Sequence, residues 1–119
     1  MIKTHNPNNE SYFEEGCHII ETSNSVDDED VSIAQARVEK GQRTKWHSLE
    51  NTTKRYVILS GCGSVEVGTS EPCDITTGDV VIVPASTHQR IKNTSENDLL
   101  FLAICSPRLQ KKNYREGSI

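Results

Sequence analysis

One feature of the sequence constrains the fold more than any other: short runs of β-branched and aliphatic residues. Turn residues interrupt these runs roughly every ten positions. From Val31 onward, no stretch of helical length repeats apolar residues at the helical period. Seven or more short strands at this spacing predict an all-β fold, a sandwich or a barrel, in a single domain. The strand candidates are Val31–Val38, Thr44–Leu49, Arg55–Leu59, Ser64–Val67, Val80–Val83, His88–Asn93 and Leu99–Cys105.

The composition of the chain argues against several classes of function. The 119 residues are 34% hydrophobic and carry a formal net charge of −4, with no long basic stretch, so we expect no nucleic-acid partner. No apolar run reaches the length of a membrane span and no secretion signal is visible, so we expect a cytoplasmic protein without a membrane partner. The cysteines form no C-x-x-C pair and are expected to be reduced thiols: Cys17, Cys62, Cys73 and Cys105.

Two glycine-bounded stretches resemble the paired motifs of the cupin superfamily, G-x5-H-x-H-x4-E-x6-G and G-x5-P-x-G-x2-H-x3-N. Six of the ten fixed positions match without a gap: Gly41, His47 and Gly61 in the first stretch, and Gly78, Pro84 and Asn93 in the second. Four further segments resemble a bacterial single-domain cupin subgroup: Trp46–Leu49, Arg55–Leu59, Gln89–Asn93 and Cys105–Arg108. The resemblance implies one jelly-roll β-barrel of two antiparallel sheets.

The same resemblance implies where a metal would lie. In the family, two histidines and a glutamate of the first motif and a histidine of the second hold a divalent metal. The corresponding residues here are His47, Leu49, Lys54 and Gln89. Only His47 is a good ligand for a transition metal, and an ammonium repels a dication. We therefore expect no tightly bound cofactor, and a weakly held divalent metal on His47 and Gln89 at most.

The alternation of side chains along a strand predicts which residues share a face, independently of any family. Each predicted inward set combines polar and aliphatic groups, as in a ligand pocket at the mouth of a barrel. The predicted pocket residues are His47, Leu49, Lys54, Tyr56, Gln89 and Ile91. His88 precedes Gln89 by one residue and is expected to face solvent unless a β-bulge shifts the register.

Three functions are compatible with this pocket. In the first, Lys54 replaces the charge of the metal and attracts a small carboxylate or phosphate ligand, with His47 as an additional donor. In the second, the chain is a cupin enzyme, either a metal-dependent oxygenase or isomerase, or a metal-free epimerase with His47 as base and Tyr56 as acid. No Asp or Glu is expected on the pocket face to orient His47. In the third, the pocket is vestigial and the barrel binds a partner protein.

The chain is expected to divide into an N-terminal arm with the first strand or strands (1–30), a cupin barrel (31–108) and a polar C-terminal tail (109–119). The segment Arg55–Leu59 is apolar on both faces, which requires cover on both sides. We therefore expect a homodimer.

Overall fold

A computed structural model describes residues 1–13 and 15–117. Within these described residues the chain forms eleven strands and three single 3-10 turns, at Pro7–Asn9, Val26–Asp28 and Lys111–Asn113. The strands are β1 (Ser11–Phe13), β2 (Cys17–Ser23), β3 (Ser32–Val38), β4 (His47–Leu49), β5 (Thr53–Ser60), β6 (Cys62–Val67), β7 (Cys73–Thr76), β8 (Val80–Val83), β9 (Gln89–Asn93), β10 (Leu99–Ser106) and β11 (Tyr114–Glu116).

Two antiparallel sheets pack face to face, so the expected all-β jelly roll is confirmed. One sheet has the strand order β1-β2-β3-β10-β5-β8 and the other β11-β4-β9-β6-β7. All seven predicted strand segments contain a strand, although β4 starts later than expected, at His47, and β9 starts at Gln89. The strands β7 and β11 were not predicted, because their short polar segments lack the apolar alternation that indicates a strand.

The core lies between the sheets and is built from alternate residues of each strand. On β5 the side chains of Lys54, Tyr56 and Ile58 are buried while the residues between them are more exposed, and on β9 those of Gln89, Ile91 and Asn93 are buried. The predicted inward faces of both strands are therefore confirmed.

Both ends of the chain add strands to the barrel. In the first sheet β1 pairs with β2 and β2 pairs with β3, and in the second sheet β11 pairs with β4. The rings of Phe13 on β1 and Tyr114 on β11 meet edge to face, with centroids 5.3 Å apart. The two terminal strands therefore join the sheets at one end of the barrel, and a cavity lies there.

Two further properties of the fold concern its cysteines and the length of its helices. Cys17, Cys62, Cys73 and Cys105 are free thiols, as expected from their spacing. Across residues 1–13 and 15–117, no helix has the length and apolar character needed to cross a membrane.

Candidate active site

A cavity of about 420 Å³ lies between the two sheets where the terminal strands meet. Its walls combine aliphatic and aromatic side chains with several titratable groups, which is the composition of a small-molecule site. The titratable groups that line it include Glu15, Glu21, His47, Lys54, Lys111 and Tyr114.

Glu15 reaches the cavity from the tight turn between β1 and β2. The turn is closed by a hydrogen bond from the amide of Gly16 to the carbonyl of Phe13, 2.9 Å long. Gly16 has a positive φ of 106°, and a Cβ there would approach the carbonyl oxygen of Arg43 to 3.2 Å, so a side chain at this position would be strained. The carbonyl of Glu15 accepts a 2.7 Å hydrogen bond from the amide of Lys45, which ties the turn to the opposite sheet.

The carboxylate of Glu15 and the ring of His47 form a buried pair. The distance from Glu15 Oε2 to His47 Nε2 is 2.8 Å, and the two residues are only 6% and 1% exposed. The other ring nitrogen, Nδ1, lies 2.7 Å from the carbonyl oxygen of Lys45. Because a carbonyl only accepts, Nδ1 carries a proton, which leaves Nε2 as the nitrogen that can exchange one.

The contact between Nε2 and Glu15 is short but is not an aligned hydrogen bond. Despite the short distance to Glu15, Nε2 has no aligned hydrogen bond to any residue that the structure describes. The Glu15 carboxylate therefore lies to one side of the line along which an N–H bond at Nε2 would point. From there its negative charge stabilises positive charge on the His47 ring.

Lys54 supplies the positive charge of the site. Its side chain on β5 is only 7% exposed, and its Nζ lies 4.9 Å from the centre of the Tyr56 ring. Burial alone would lower the pKa of the ammonium, but attraction to Tyr56 and to Glu15 outweighs it and holds the pKa above its usual 10.5. Burial likewise raises the pKa of the Tyr56 phenol, so Tyr56 is uncharged at neutral pH and Glu15 is the counter-charge.

Glu15 remains ionised in spite of its burial. Removal from water would raise the pKa of its carboxyl, but Lys54 and His47 outweigh this effect and hold the pKa well below its usual 4.5. The thiol of Cys17 donates a further hydrogen bond to Oε1, at 3.1 Å. The expectation that no carboxylate faces the pocket is therefore wrong. It failed because Glu15 lies 32 positions before His47, and only the barrel brings them together.

The six predicted pocket residues divide into two groups. His47, Leu49 and Lys54 line the cavity. Tyr56, Gln89 and Ile91 lie in the core beside it, each 1% exposed, and the hydroxyl of Tyr56 donates to Oε1 of Gln89. His88 is half-buried and precedes β9, whereas Gln89 takes the first inward position of that strand.

The donor set does not fit a divalent transition metal. Leu49 and Lys54 occupy two of the four family ligand positions, and the amide oxygen of Gln89 is already engaged by Tyr56. Burial raises the pKa of the Cys17 thiol, so this nearby sulfur stays protonated. In the part of the chain that the structure describes, no three His, Cys, Asp or Glu side chains are grouped to hold a metal ion.

These observations define a jelly-roll barrel whose cavity contains a buried acid–base pair and a lysine. The chain belongs to the cupin family, because the model of the cupin domain matches residues 34–105. No curated protein sequence matches the chain significantly.

Several solved structures are similar in fold. KdgF from Halomonas sp. is 19% identical, with a TM-score of 0.74 over 84% of this chain and 88% of that one. A histidine-to-glutamine variant of Streptomyces Pac13 with uridine is 15% identical, with a TM-score of 0.80 over 100% of this chain and 93% of that one. The cupin domain of Schizosaccharomyces pombe Cnp3 is 14% identical, with a TM-score of 0.74 over 83% and 68%. At these identities, the similarity shows the fold alone.

Proposed function

We propose that this cupin binds a small organic acid or carbonyl compound in the cavity and transfers a proton to or from it without a metal. The observation that carries the proposal is the buried Glu15–His47 pair, which lines the same cavity as the buried ammonium of Lys54. An acid–base group and a fixed positive charge side by side are what proton abstraction next to a carbonyl requires.

Each of the three side chains has a distinct role in this proposal. His47 accepts the proton from a ligand carbon at Nε2 and returns it to the same or another atom. Glu15 stabilises the imidazolium that forms in between. Lys54 stabilises the negative charge that develops on the ligand oxygen, which is worth most in a site shielded from water.

The fold comparison is compatible with such a role. Pac13, which shares this fold, is described as a nucleoside dehydratase, and its variants have been crystallised with uridine. A cupin barrel of this size therefore accommodates a small polar molecule in at least one other protein.

Hydrogen–deuterium exchange into the ligand tests the proposal. Small keto acids, hydroxy acids, sugar phosphates and uridine are incubated with the protein in D2O, and loss of carbon-bound protons is followed by NMR. We expect at least one compound to exchange, and exchange to fall at least about 100-fold in His47→Gln, since a positioned acid–base group contributes at least that factor. His88→Gln, which changes a histidine that does not line the cavity, is the matched control. Exchange at an unchanged rate in His47→Gln would refute the proton-transfer role.

Anion binding without catalysis is the second candidate function. Lys54 and Lys111 both line the cavity and favour a carboxylate or phosphate, although Glu15 balances one positive charge. Thermal-shift measurements with small carboxylates and sugar phosphates test it. Stabilisation of the wild type that disappears in Lys54→Met, together with no deuterium exchange, would favour the binding protein over the enzyme.

We also propose that the chain forms a homodimer through the outer face of β5 and β8. Leu59, Val80 and Ile82 are apolar and 42%, 57% and 62% exposed. β8 is an edge strand, so its free hydrogen-bonding groups can pair with a second copy around a two-fold axis. Light scattering after size exclusion should give a dimer for the wild type and a monomer for Ile82→Lys. A monomeric wild type would contradict the proposal.

A further inference from the structure

The C-terminal strand brings an aromatic residue to the cavity that the sequence motifs do not include. β11 pairs with β4, with Tyr114 opposite Leu49 and Glu116 opposite His47. The amide of Glu50 donates to the carbonyl of Asn113 at 2.8 Å, which secures the start of the strand. Tyr114 is therefore held in place by backbone contacts that do not involve its side chain.

Two rings fix the orientation of the Tyr114 side chain. It stacks on His47 with centroids 5.6 Å apart and planes inclined by 24°, and Phe13 packs against it edge to face. Tyr114 lines the cavity alongside both of them. The ring is thus fixed beside the acid–base pair, and a hydroxyl held in this way can recognise a ligand at little cost in side-chain entropy.

The hydroxyl of Tyr114 has no hydrogen-bond partner among residues 1–13 and 15–117. The oxygen is buried, yet it makes no hydrogen bond to any residue in 1–13 or 15–117. Buried hydroxyls are almost always hydrogen-bonded, since leaving one unpaired costs free energy. Burial, together with the negative charges of Glu15 and Glu116, raises the pKa of the phenol, so the group is a neutral donor at physiological pH. Tyr56 differs, because its hydroxyl already donates a hydrogen bond to Oε1 of Gln89.

We infer that the Tyr114 hydroxyl donates a hydrogen bond to an oxygen of the molecule bound in the cavity and determines ligand specificity. The inference rests on the proposed function, because it assumes that the cavity is the ligand site. Tyr114 and Lys54 then present two donors to one ligand, His47 exchanges a proton with it, and Glu15 adds an acceptor. This set matches a small molecule with two oxygen-bearing groups, a hydroxy acid or a keto acid.

The stability of the unliganded protein gives the first test. Tyr114→Phe removes a hydroxyl without a protein partner, so we expect its Tm to lie within about 2 °C of the wild type or above it. Tyr56→Phe removes a buried hydrogen bond and should lower the Tm by roughly 4 °C or more. If Tyr114→Phe lowers the Tm as much as Tyr56→Phe does, the hydroxyl is a structural group and the inference is wrong.

Binding of lactate and pyruvate gives the second test. Calorimetry should show that the wild type binds at least one of them and that Tyr114→Phe raises the Kd by roughly 10-fold. That factor corresponds to the loss of one hydrogen bond to a charged group. Tyr12→Phe, which changes an exposed tyrosine, should bind like the wild type. A crystal soaked with the bound acid should show one of its oxygens within hydrogen-bond distance of Tyr114 Oη.

The outcomes separate this inference from the proposed function. If Tyr114→Phe binds as tightly as the wild type while His47→Gln binds more weakly, the inference fails and the proposed function stands. If the wild type binds neither lactate nor pyruvate, the inferred ligand class is wrong. Deuterium exchange into another compound, lost in His47→Gln, would then still support proton transfer in the cavity.

Discussion

Replacing Glu15 by Gln tests whether the charges of the site stabilise one another. The substitution keeps the shape of the side chain and removes its charge. Glu15 and Lys54 are 6% and 7% exposed, so the ammonium that remains cannot regain its hydration without opening the barrel. Removing one partner of a buried ion pair in direct contact typically costs about 3–5 kcal/mol, and Glu15 and Lys54 attract each other without forming such a contact. Because Glu15 makes no aligned hydrogen bond to His47 that the change would remove, we expect a loss at the lower end of that range, about 3 kcal/mol, in the free energy of unfolding.

A double-mutant cycle isolates the interaction. Lys54→Met removes the ammonium and keeps an apolar chain of similar length. The double variant Glu15→Gln/Lys54→Met contains neither charge, and exchanging a buried pair for neutral groups is often close to neutral. The double variant should therefore be more stable than Glu15→Gln alone, with a coupling energy of about 2 kcal/mol between the two sites. Urea denaturation followed by circular dichroism measures all four proteins.

The pH dependence provides an independent check. The pKa of Glu15 in the folded protein is held below 4.5, so its stabilising effect is complete above that pH and is lost as the pH falls. The pKa of Lys54 is held above 10.5, so its effect is complete below that pH and is lost as the pH rises. The difference in the free energy of unfolding between wild type and Glu15→Gln should shrink as the pH falls below 4.5. A coupling energy below about 0.5 kcal/mol, within the error of additivity, would refute the reasoning.

Three further predictions concern the metal, the core and one tight contact. Protein purified without an affinity tag should contain far less than one equivalent of iron, zinc, manganese or nickel by elemental analysis, and one tightly held equivalent would contradict the donor set. Asn93→Ala should lower the free energy of unfolding by about 2–4 kcal/mol. The side-chain amide of Asn93 donates to the backbone carbonyls of Val38 and Asn97, at 2.9 and 2.8 Å, and both hydrogen bonds would be lost. An unchanged midpoint of urea denaturation would contradict this prediction. Gly63→Ala should cost more than about 2 kcal/mol, since its Cβ would lie 2.6 Å from the Lys92 carbonyl oxygen. Gly41→Ala, which meets no atom within 4 Å, should cost only about 1 kcal/mol for its positive φ.

Local pattern, together with the motif spacing, was enough to predict the barrel and part of its interior. Alternation on β5 and β9 depends only on neighbouring residues, because successive side chains of a strand point to opposite faces. The inward positions of Lys54 and Gln89 could therefore be read from the sequence, and motif spacing identified His47 as the histidine to consider.

The negative charge of Glu15 and the hydroxyl of Tyr114 in the cavity could not be predicted from the local sequence pattern. Glu15 lies in a polar segment without apolar alternation, and Tyr114 lies in a tail where no strand was predicted. Both residues are outside the segment that matches the cupin family, residues 34–105. The turn at Glu15–Gly16, directly before an apolar run, is the one local signal that could have suggested an ordered carboxylate there.

The physical reason is that the strand pattern is local and the site is not. A strand forms where a few consecutive residues suit a pleated, half-buried surface. The cavity lies where the two terminal strands meet, and the residues that line it come from both ends of the chain and from its middle, where His47 and Lys54 lie. Tertiary structure alone therefore turned an isolated histidine and lysine into a balanced group with Glu15, and placed an unpartnered tyrosine hydroxyl beside them.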